Sequence, residues 1–354
     1  WQMTKRWKMK QALTYDDVLL VPQYSDIKSR KEINIAAELD DKRVLQLPII
    51  SSPMDTVTES EMVYTMLQHG GLGVIHRYNT VLEQAGLVNE VFNSAMSELG
   101  MSAQEINIAA AVGVSGDYIQ RAAALWENGA NIICVDVAHG HHILVKNALY
   151  KLRVELGDDL HIMAGNVATL EGFNDLADWG ADSVRCNIGG GSICSTRVQT
   201  GHGVPGLQTI MDCANSDRDA KIIADGGIRS SGDAVKALAA GADFVMLGSV
   251  LAGTEESPGE KVLTLNGVKK KYRGMASKDA QMDWRGNYSS NEGVSTLIDF
   301  KGTVNLILND LCNGIKSGLS YSGARTIQEL QIKSEWIVQT NAGLKESHTH
   351  ILGK

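Results

Sequence analysis

The 354-residue sequence predicts a single-domain (β/α)8 TIM barrel with a mobile flap after its eighth strand. Three observations predict it. Short apolar runs recur eight times, each followed by an amphipathic stretch. A polar residue stands at or near the end of nearly every run. The first run lacks the glycine fingerprint that opens a doubly wound dinucleotide-binding sheet. The length suits one barrel with insertions, and a hydrophobic fraction of 44% supports a large core.

The runs are LPIISS (47–52), LGVIH (72–76), INIAAAVG (106–113), NIICVDV (131–137), LHIMAGN (160–166), DSVRCN (182–187), KIIADGG (221–227) and DFVMLGS (243–249). Mostly Ile, Val, Ala and Met, they read as strands buried on both faces. Helical patterns such as 59–70, 118–130, 170–181 and 231–242 lie between them, and several close on Gly-Ala just before the next strand. The expected organisation is a basic, poorly ordered arm over 1–11, a barrel over 12–340 that includes a flap at 254–300, and a tail over 341–354.

Barrel chemistry sits at the C-terminal strand ends. These are Ser52, His76, Asp136, Asn166, Asn187, Asp225 and Gly248-Ser249. Each alone could be a helix cap or turn residue; together they point to a site. A net charge of −8 disfavours a nucleic-acid-binding face, so an anionic ligand must be gripped locally. Five cysteines without C-x-x-C spacing argue against a disulfide framework or a zinc site and for a reducing, cytoplasmic setting. No apolar run reaches ~18 residues, so no membrane span is expected, and WQMTKRWKMKQ has no apolar signal core.

Three features carry chemistry. Gly189-Gly190-Gly191-Ser192-Ile193-Cys194-Ser195-Thr196-Arg197 follows the sixth strand. Its glycines permit close backbone approach, and loop donors with Arg197 nearby would favour a Cys194 thiolate as nucleophile. Cys134, Cys186, Cys213 and Cys312 read as structural. Asp225-Gly226-Gly227 and Gly248-Ser249 follow strands seven and eight, where barrels bind phosphate through backbone N–H groups; the Asp suits ribose hydroxyls. The segment 254–300 is long enough to be a lid, and Trp284, Arg285, Tyr288 and Glu292 could close it on a ligand.

With these motifs, and with LTYDDVLLVP (13–22), SSPMDTVTE (51–59), AGNVAT (164–169), IADGGIRSSGD (223–233), YRGMAS (272–277) and GLKESHTH (343–350), the chain resembles the IMP dehydrogenase/GMP reductase family over nearly its whole length. The resemblance implies attack by Cys194 on C2 of a purine nucleoside monophosphate, a covalent thioimidate, and hydride exchange with NADPH or NAD. It implies nucleotide contacts from Ser52, Ser192, Asp225, Gly227, Gly248, Ser249, Tyr272, Gly274 and Met275, and cofactor contacts from Asp136 and Asn166. It implies a potassium-type cation on the carbonyls of Gly189, Gly191 and Cys194, completed by Glu346, Ser347 and His348 of a neighbour in a homotetramer. Only about thirty residues separate His76 from the third strand, too few for the regulatory insert of many dehydrogenases.

The direction of reaction turns on the flap. Dehydrogenases of the family activate water with an adjacent Arg-Tyr pair, which is missing here; Arg285 and Tyr288 are not adjacent. Thr196 and Glu292 match the reductases' proton-handling positions, although dehydrogenases of the family carry a Glu there too. The implied reaction is GMP plus NADPH to IMP, ammonia and NADP, with IMP oxidation by NAD and water to XMP as the alternative; SSPMDTVTE, DVAHG (136–140) and the ESH tail look more like dehydrogenases. The chain departs from the family pattern at Asn187 (usually Gly), Gly190 (usually Pro or Cys), Ser195 (usually Thr) and Gly206 (usually Gln).

Overall fold

The computed structural model describes residues 9–349. Residues 1–8 of the expected arm and 350–354 of the expected tail lie outside the described residues. All eight runs are strands: β1 (Ile49–Ser51), β2 (Leu72–Ile75), β3 (Ala109–Val112), β4 (Ile132–Asp136), β5 (His161–Val167), β6 (Ser183–Cys186), β7 (Lys221–Asp225) and β8 (Phe244–Leu247). Each pairs in parallel with its chain neighbours, and β8 returns to β1 through Val245 opposite Ile49 and Leu247 opposite Ser51. The barrel is therefore closed and exposes no sheet edge.

Eight helices cover it: α1 (Ser60–Gln68), α2 (Val81–Glu98), α3 (Tyr118–Glu127), α4 (Ile143–Leu156), α5 (Leu170–Asp178), α6 (Gly206–Cys213), α7 (Ser231–Ala239) and α8 (Val304–Tyr321). Local chemistry starts several of them. The hydroxyls of Thr80, Thr169, Ser230 and Thr303 accept from the backbone N–H groups of Glu83, Gly172, Asp233 and Asn305 at 3.1–3.3 Å, meeting donors that a helix start leaves unpaired. The Gly-Ala endings work as expected: Gly180 and Gly241 take φ of 107° and 117°, turning each chain directly into the next strand. Strand side chains such as Ile50, Val74, Ile133, Met163, Val184, Ile223 and Phe244 are fully buried. They face the barrel interior or the helix layer, which is why the runs show no alternation.

Three features differ from expectation. The segment 254–300 is a small folded unit: strands Val262–Thr264, Gly267–Arg273 and Ser295–Asp299 form an antiparallel sheet, and a helix spans Lys278–Arg285. The terminal segments also pair, Val18–Leu20 running antiparallel to Trp336–Val338, and the tail contains a helix at Asn341–Ser347. Short, weakly alternating strands of three to seven residues carry too little pattern to be read from sequence.

At the N-terminal end of the barrel, Asp40 accepts from His161 Nδ1 (2.8 Å), Arg43 Nη1 (2.7 Å) and Lys42 N (2.9 Å). Burial works to raise its pKa, but the hydrogen bonds from His161, Lys42 and Arg43 override it and hold the carboxyl well below the usual range. A folded-state pKa below the unfolded value of about 3.9 contributes stability at higher pH that is lost on acidification. Asp40→Asn is expected to lower the melting temperature at pH 7, with the deficit narrowing as pH falls below about 4. A deficit constant from pH 7 to pH 3 in thermal scans would contradict this.

Candidate active site

The C-terminal strand ends converge on a cavity of about 410 Å³. The β1 turn supplies Ser52, β4 Asp136, β5 Asn166, the β6 loop Gly189–Thr196, β7 Asp225–Gly227, and the β8 turn Gly248-Ser249. The folded flap adds Tyr272, Gly274, Met275, Trp284, Arg285 and Glu292. Of the strand-end residues, His76 alone is not on this lining. It is buried, hydrogen-bonded through Nε2 to Glu59 (2.8 Å) and accepting at Nδ1 from Tyr78 N (3.1 Å). It acts as a turn residue there. Tyr288 also misses the cavity, its ring facing Lys278 Nζ at 4.8 Å.

Glycines bring the loops together. A Cβ on Gly226 would lie 3.2 Å from Gly191 N, and one on Gly227 would lie 3.3 Å from Gly190 O. The β6 loop and the β7 turn therefore touch backbone to backbone. A Cβ on Gly248 would meet Met54 Sδ and Tyr272 Oη at 3.2 Å and Ser52 Oγ at 3.4 Å. Burial pushes the Tyr272 phenol up to about 12, against a hydrogen bond with Ser192 that works the other way. Backbone N–H groups and hydroxyls thus gather at one end of the cavity, a setting suited to a phosphate. Lys301 donates from outside to the carbonyls of Ser249 and Val250, fixing the β8 turn.

Cys194 stands at the centre. Its Sγ lies 3.2 Å from Thr196 Oγ1, which donates to Glu292 Oε2 at 2.9 Å. The sulfur, hydroxyl and carboxylate thus form a continuous proton path. The flap is seated on this loop by backbone bonds: Ser195 N to Glu292 O (3.0 Å) and Val294 N to Ile193 O (2.9 Å). Arg273 holds the flap base through Asp55, Asp279 and Asp283.

The expectation that Arg197 lies beside the thiol is corrected. Its guanidinium is turned to the loop's own acceptors, with Nε on Ile188 O (3.1 Å) and Nη2 on Val204 O (2.6 Å) and Asn187 Oδ1 (3.3 Å). Cys134 and Cys186 are fully buried. Burial pushes the Cys134 thiol up to about 12, and burial with the neighbouring Cys213 pushes Cys186 well above its ordinary value.

Arg185 is a site residue that the sequence reading missed, as is Arg77, which lies on the cavity lining 3.6 Å from Asp136. On β6 and 6% exposed, Arg185 donates to Asp136 Oδ1 at 2.6 Å and to Asp225 Oδ2 at 2.9–3.1 Å. Asn166 Nδ2 joins the same Asp225 oxygen (2.8 Å) and Asn187 O (3.0 Å). Burial would lower the guanidinium pKa, but Asp225 and Asp136 hold it well above its ordinary value. The signal was available: an Arg inside an otherwise apolar strand needs buried counter-charges. Glu346, Ser347 and His348 do not line the cavity. Ser347 Oγ bonds Gln339 Oε1 and Gly343 O.

Residues 12–350 match the IMP dehydrogenase/GMP reductase domain. The chain belongs to the IMP dehydrogenase/GMP reductase family. The family consists of oxidoreductases that use nicotinamide nucleotide cofactors. Among the relatives, inosine-5'-monophosphate dehydrogenase of Nitrosopumilus maritimus (strain SCM1) is 35% identical over 97% of this chain and 99% of its own length. GMP reductase of Leishmania major is 31% identical, covering 98% of each. A crystal structure of a cysteine-to-alanine variant of GMP reductase from Trypanosoma brucei, in complex with guanosine 5'-monophosphate, superposes with a TM-score of 0.90 at 30% identity, covering 97% of this chain and 98% of that one. The alignments with the first two relatives run over 474 and 483 positions. Both relatives are therefore longer than this chain, whose β2 leads straight into α2 and β3. The shortness of that connection does not separate reductase from dehydrogenase.

Two outcomes are expected. Limited iodoacetamide treatment of native protein should label Cys194 well before Cys134 or Cys186, read by peptide mass mapping; equal labelling would contradict the assignment of the latter as buried structural thiols. Arg185→Met should cost about 3–5 kcal/mol, because it leaves the largely shielded Asp225 without its cation and Asp136 with only the longer Arg77 contact at 3.6 Å. An unchanged denaturation midpoint would contradict that.

Proposed function

We propose that the protein is a purine-nucleotide oxidoreductase acting at C2, and that it reduces GMP with NADPH to IMP, ammonia and NADP. The direction rests on the flap, where no adjacent Arg-Tyr pair stands beside the Cys194–Thr196–Glu292 path at 3.2 and 2.9 Å. The GMP carried by the Trypanosoma brucei structure supports a purine monophosphate in the cavity.

The phosphate would sit among Ser192, Gly227, Gly248, Ser249 and Tyr272, with the ribose hydroxyls on Asp225. Arg185 and Asn166 both bind Oδ2 of that carboxylate, so its orientation is set before a ligand arrives. Ser52, Gly226, Gly274 and Met275 would border the base. Cys194 Sγ would then add to C2 as the bond from C2 to the amine breaks and a proton passes through Thr196 to the departing ammonia; the C2–S bond would break again once hydride reaches C2, freeing the thiol with IMP. Glu292 holds the Thr196 hydroxyl and, through Oε1, accepts from Ser290 Oγ (2.8 Å), so it can relay that proton. A nicotinamide cofactor supplies the hydride when bound. The cavity wall near Asp136, Asn166, Trp284 and Arg285 suits it, combining fixed polar groups with an indole face.

The carbonyls of Gly189, Gly191 and Cys194 would supply oxygen ligands to a potassium-type cation. Gly191 O already accepts from Cys194 N at 3.1 Å but keeps a second lone pair. Glu346, Ser347 and His348 of another copy in a homotetramer would complete that shell.

IMP oxidation with NAD is the second reading, favoured by the dehydrogenase relatives at 33–36% identity. It requires a group that activates water, and Arg285 on the cavity wall lacks an adjacent tyrosine. Incubation with GMP and NADPH, and separately with IMP and NAD, followed at the reduced-nicotinamide absorbance band, decides between them. Loss of NADPH with GMP is expected; NADH formation from IMP without GMP-dependent NADPH loss would reverse the direction. Glu292→Gln should reduce kcat by about 10²–10⁴-fold with little change in nucleotide KM. Undiminished turnover would remove Glu292 from the proton path.

A further inference from the structure

Asn187 follows β6 and is the one non-glycine residue among those described whose φ is positive, at 137°. It is 4% exposed, and its main chain is held on both sides. Its N–H donates to Val167 O (2.8 Å), and its carbonyl accepts from Asn166 Nδ2 (3.0 Å). Its side-chain amide reaches two loops. Nδ2 donates to Gly226 O in the β7 turn at 3.3 Å, and Oδ1 accepts from Arg197 Nη2 at 3.3 Å. Arg197 in turn ties Ile188 O to Val204 O, joining the two ends of the cysteine loop.

The same amide bears on two other positions. A Cβ on Gly190 would lie 2.0 Å from Asn187 Nδ2, and one on Gly206 would lie 3.0 Å from it. The departures from the family pattern at 187 and 190 are thus one packing solution around one side chain, with Gly206 beside it. A glycine would adopt the φ of 137° freely. A strained asparagine at that position calls for a role for its side chain.

We infer that Asn187 is a positioning residue that locks the Cys194 loop onto the Asp225–Gly226–Gly227 turn. The nucleophile and the turn that receives the nucleotide are thereby held as one body. This rests on the nucleotide reading above for its purpose, but not for its geometry.

A double-mutant cycle tests it. Asn187→Gly removes the amide and relieves the backbone, so the melting temperature should hold or rise. The rate of Cys194 alkylation by iodoacetamide should nevertheless move at least about fivefold, and kcat should fall at least about tenfold. A purely structural residue would not separate stability from thiol reactivity in this way. Gly190→Ala should disturb alkylation and turnover in the parent protein, yet add nothing further in the Asn187→Gly background, where the clash is gone. The inference is overturned if Asn187→Gly keeps alkylation and kcat within about twofold, or if Gly190→Ala costs the same in both backgrounds. The alkylation arm needs no nucleotide. A parent protein that turns over neither GMP nor IMP would therefore sink the functional reading while the cycle still decides the role of Asn187.

Discussion

The Arg185 guanidinium, sealed in the barrel mouth between Asp136 and Asp225, is the interaction on which the site is built. Asp136 closes β4, Arg185 lies on β6 and Asp225 closes β7; Asn166 on β5 adds an amide to the same Asp225 oxygen. Four strand ends are thereby linked by charge-assisted hydrogen bonds in a region largely shielded from water, where such bonds are strong and missing partners are costly. The guanidinium allows two carboxylates to stand in one mouth, and it orients Asp225 before any ligand arrives. Catalytic preorganisation of this kind depends on groups that need no rearrangement when the substrate binds.

A second layer of order comes from the flap. Glu292 reaches Thr196 only because the backbone of 292–294 pairs with the cysteine loop and Arg273 pins the flap base to Asp55. The proton path is therefore assembled from parts about a hundred residues apart in sequence, and it exists only while the flap is seated. This makes flap docking part of the chemistry, in keeping with lids elsewhere that complete a site as they close.

Local patterns carried much of the architecture. Largely apolar runs marked all eight strands because a parallel barrel buries both faces of each one, Arg185 being the charged exception inside a strand. Thr and Ser caps and Gly-Ala turns marked helix ends because those residues meet local backbone needs. Cys194, Asp225, Gly248 and Ser249 were legible because they follow strands directly. The flap sheet was not legible: its strands are three to seven residues long and alternate weakly. His76 and Arg197 were placed wrongly for a related reason. Both sit beside the site in sequence, but their hydrogen bonds turn them to the backbone or to Glu59.

By itself, the sequence determined the closed parallel barrel, the cysteine loop and the glycine turns, since periodicity and glycine placement are properties of neighbouring residues. Only the tertiary structure decided that Arg185 pairs with two carboxylates, that Glu292 meets Thr196, and that the Asn187 amide leaves no room for a Cβ at 190. Those facts depend on distances between segments far apart in the chain, and such distances are fixed by barrel closure and packing, which no local pattern records.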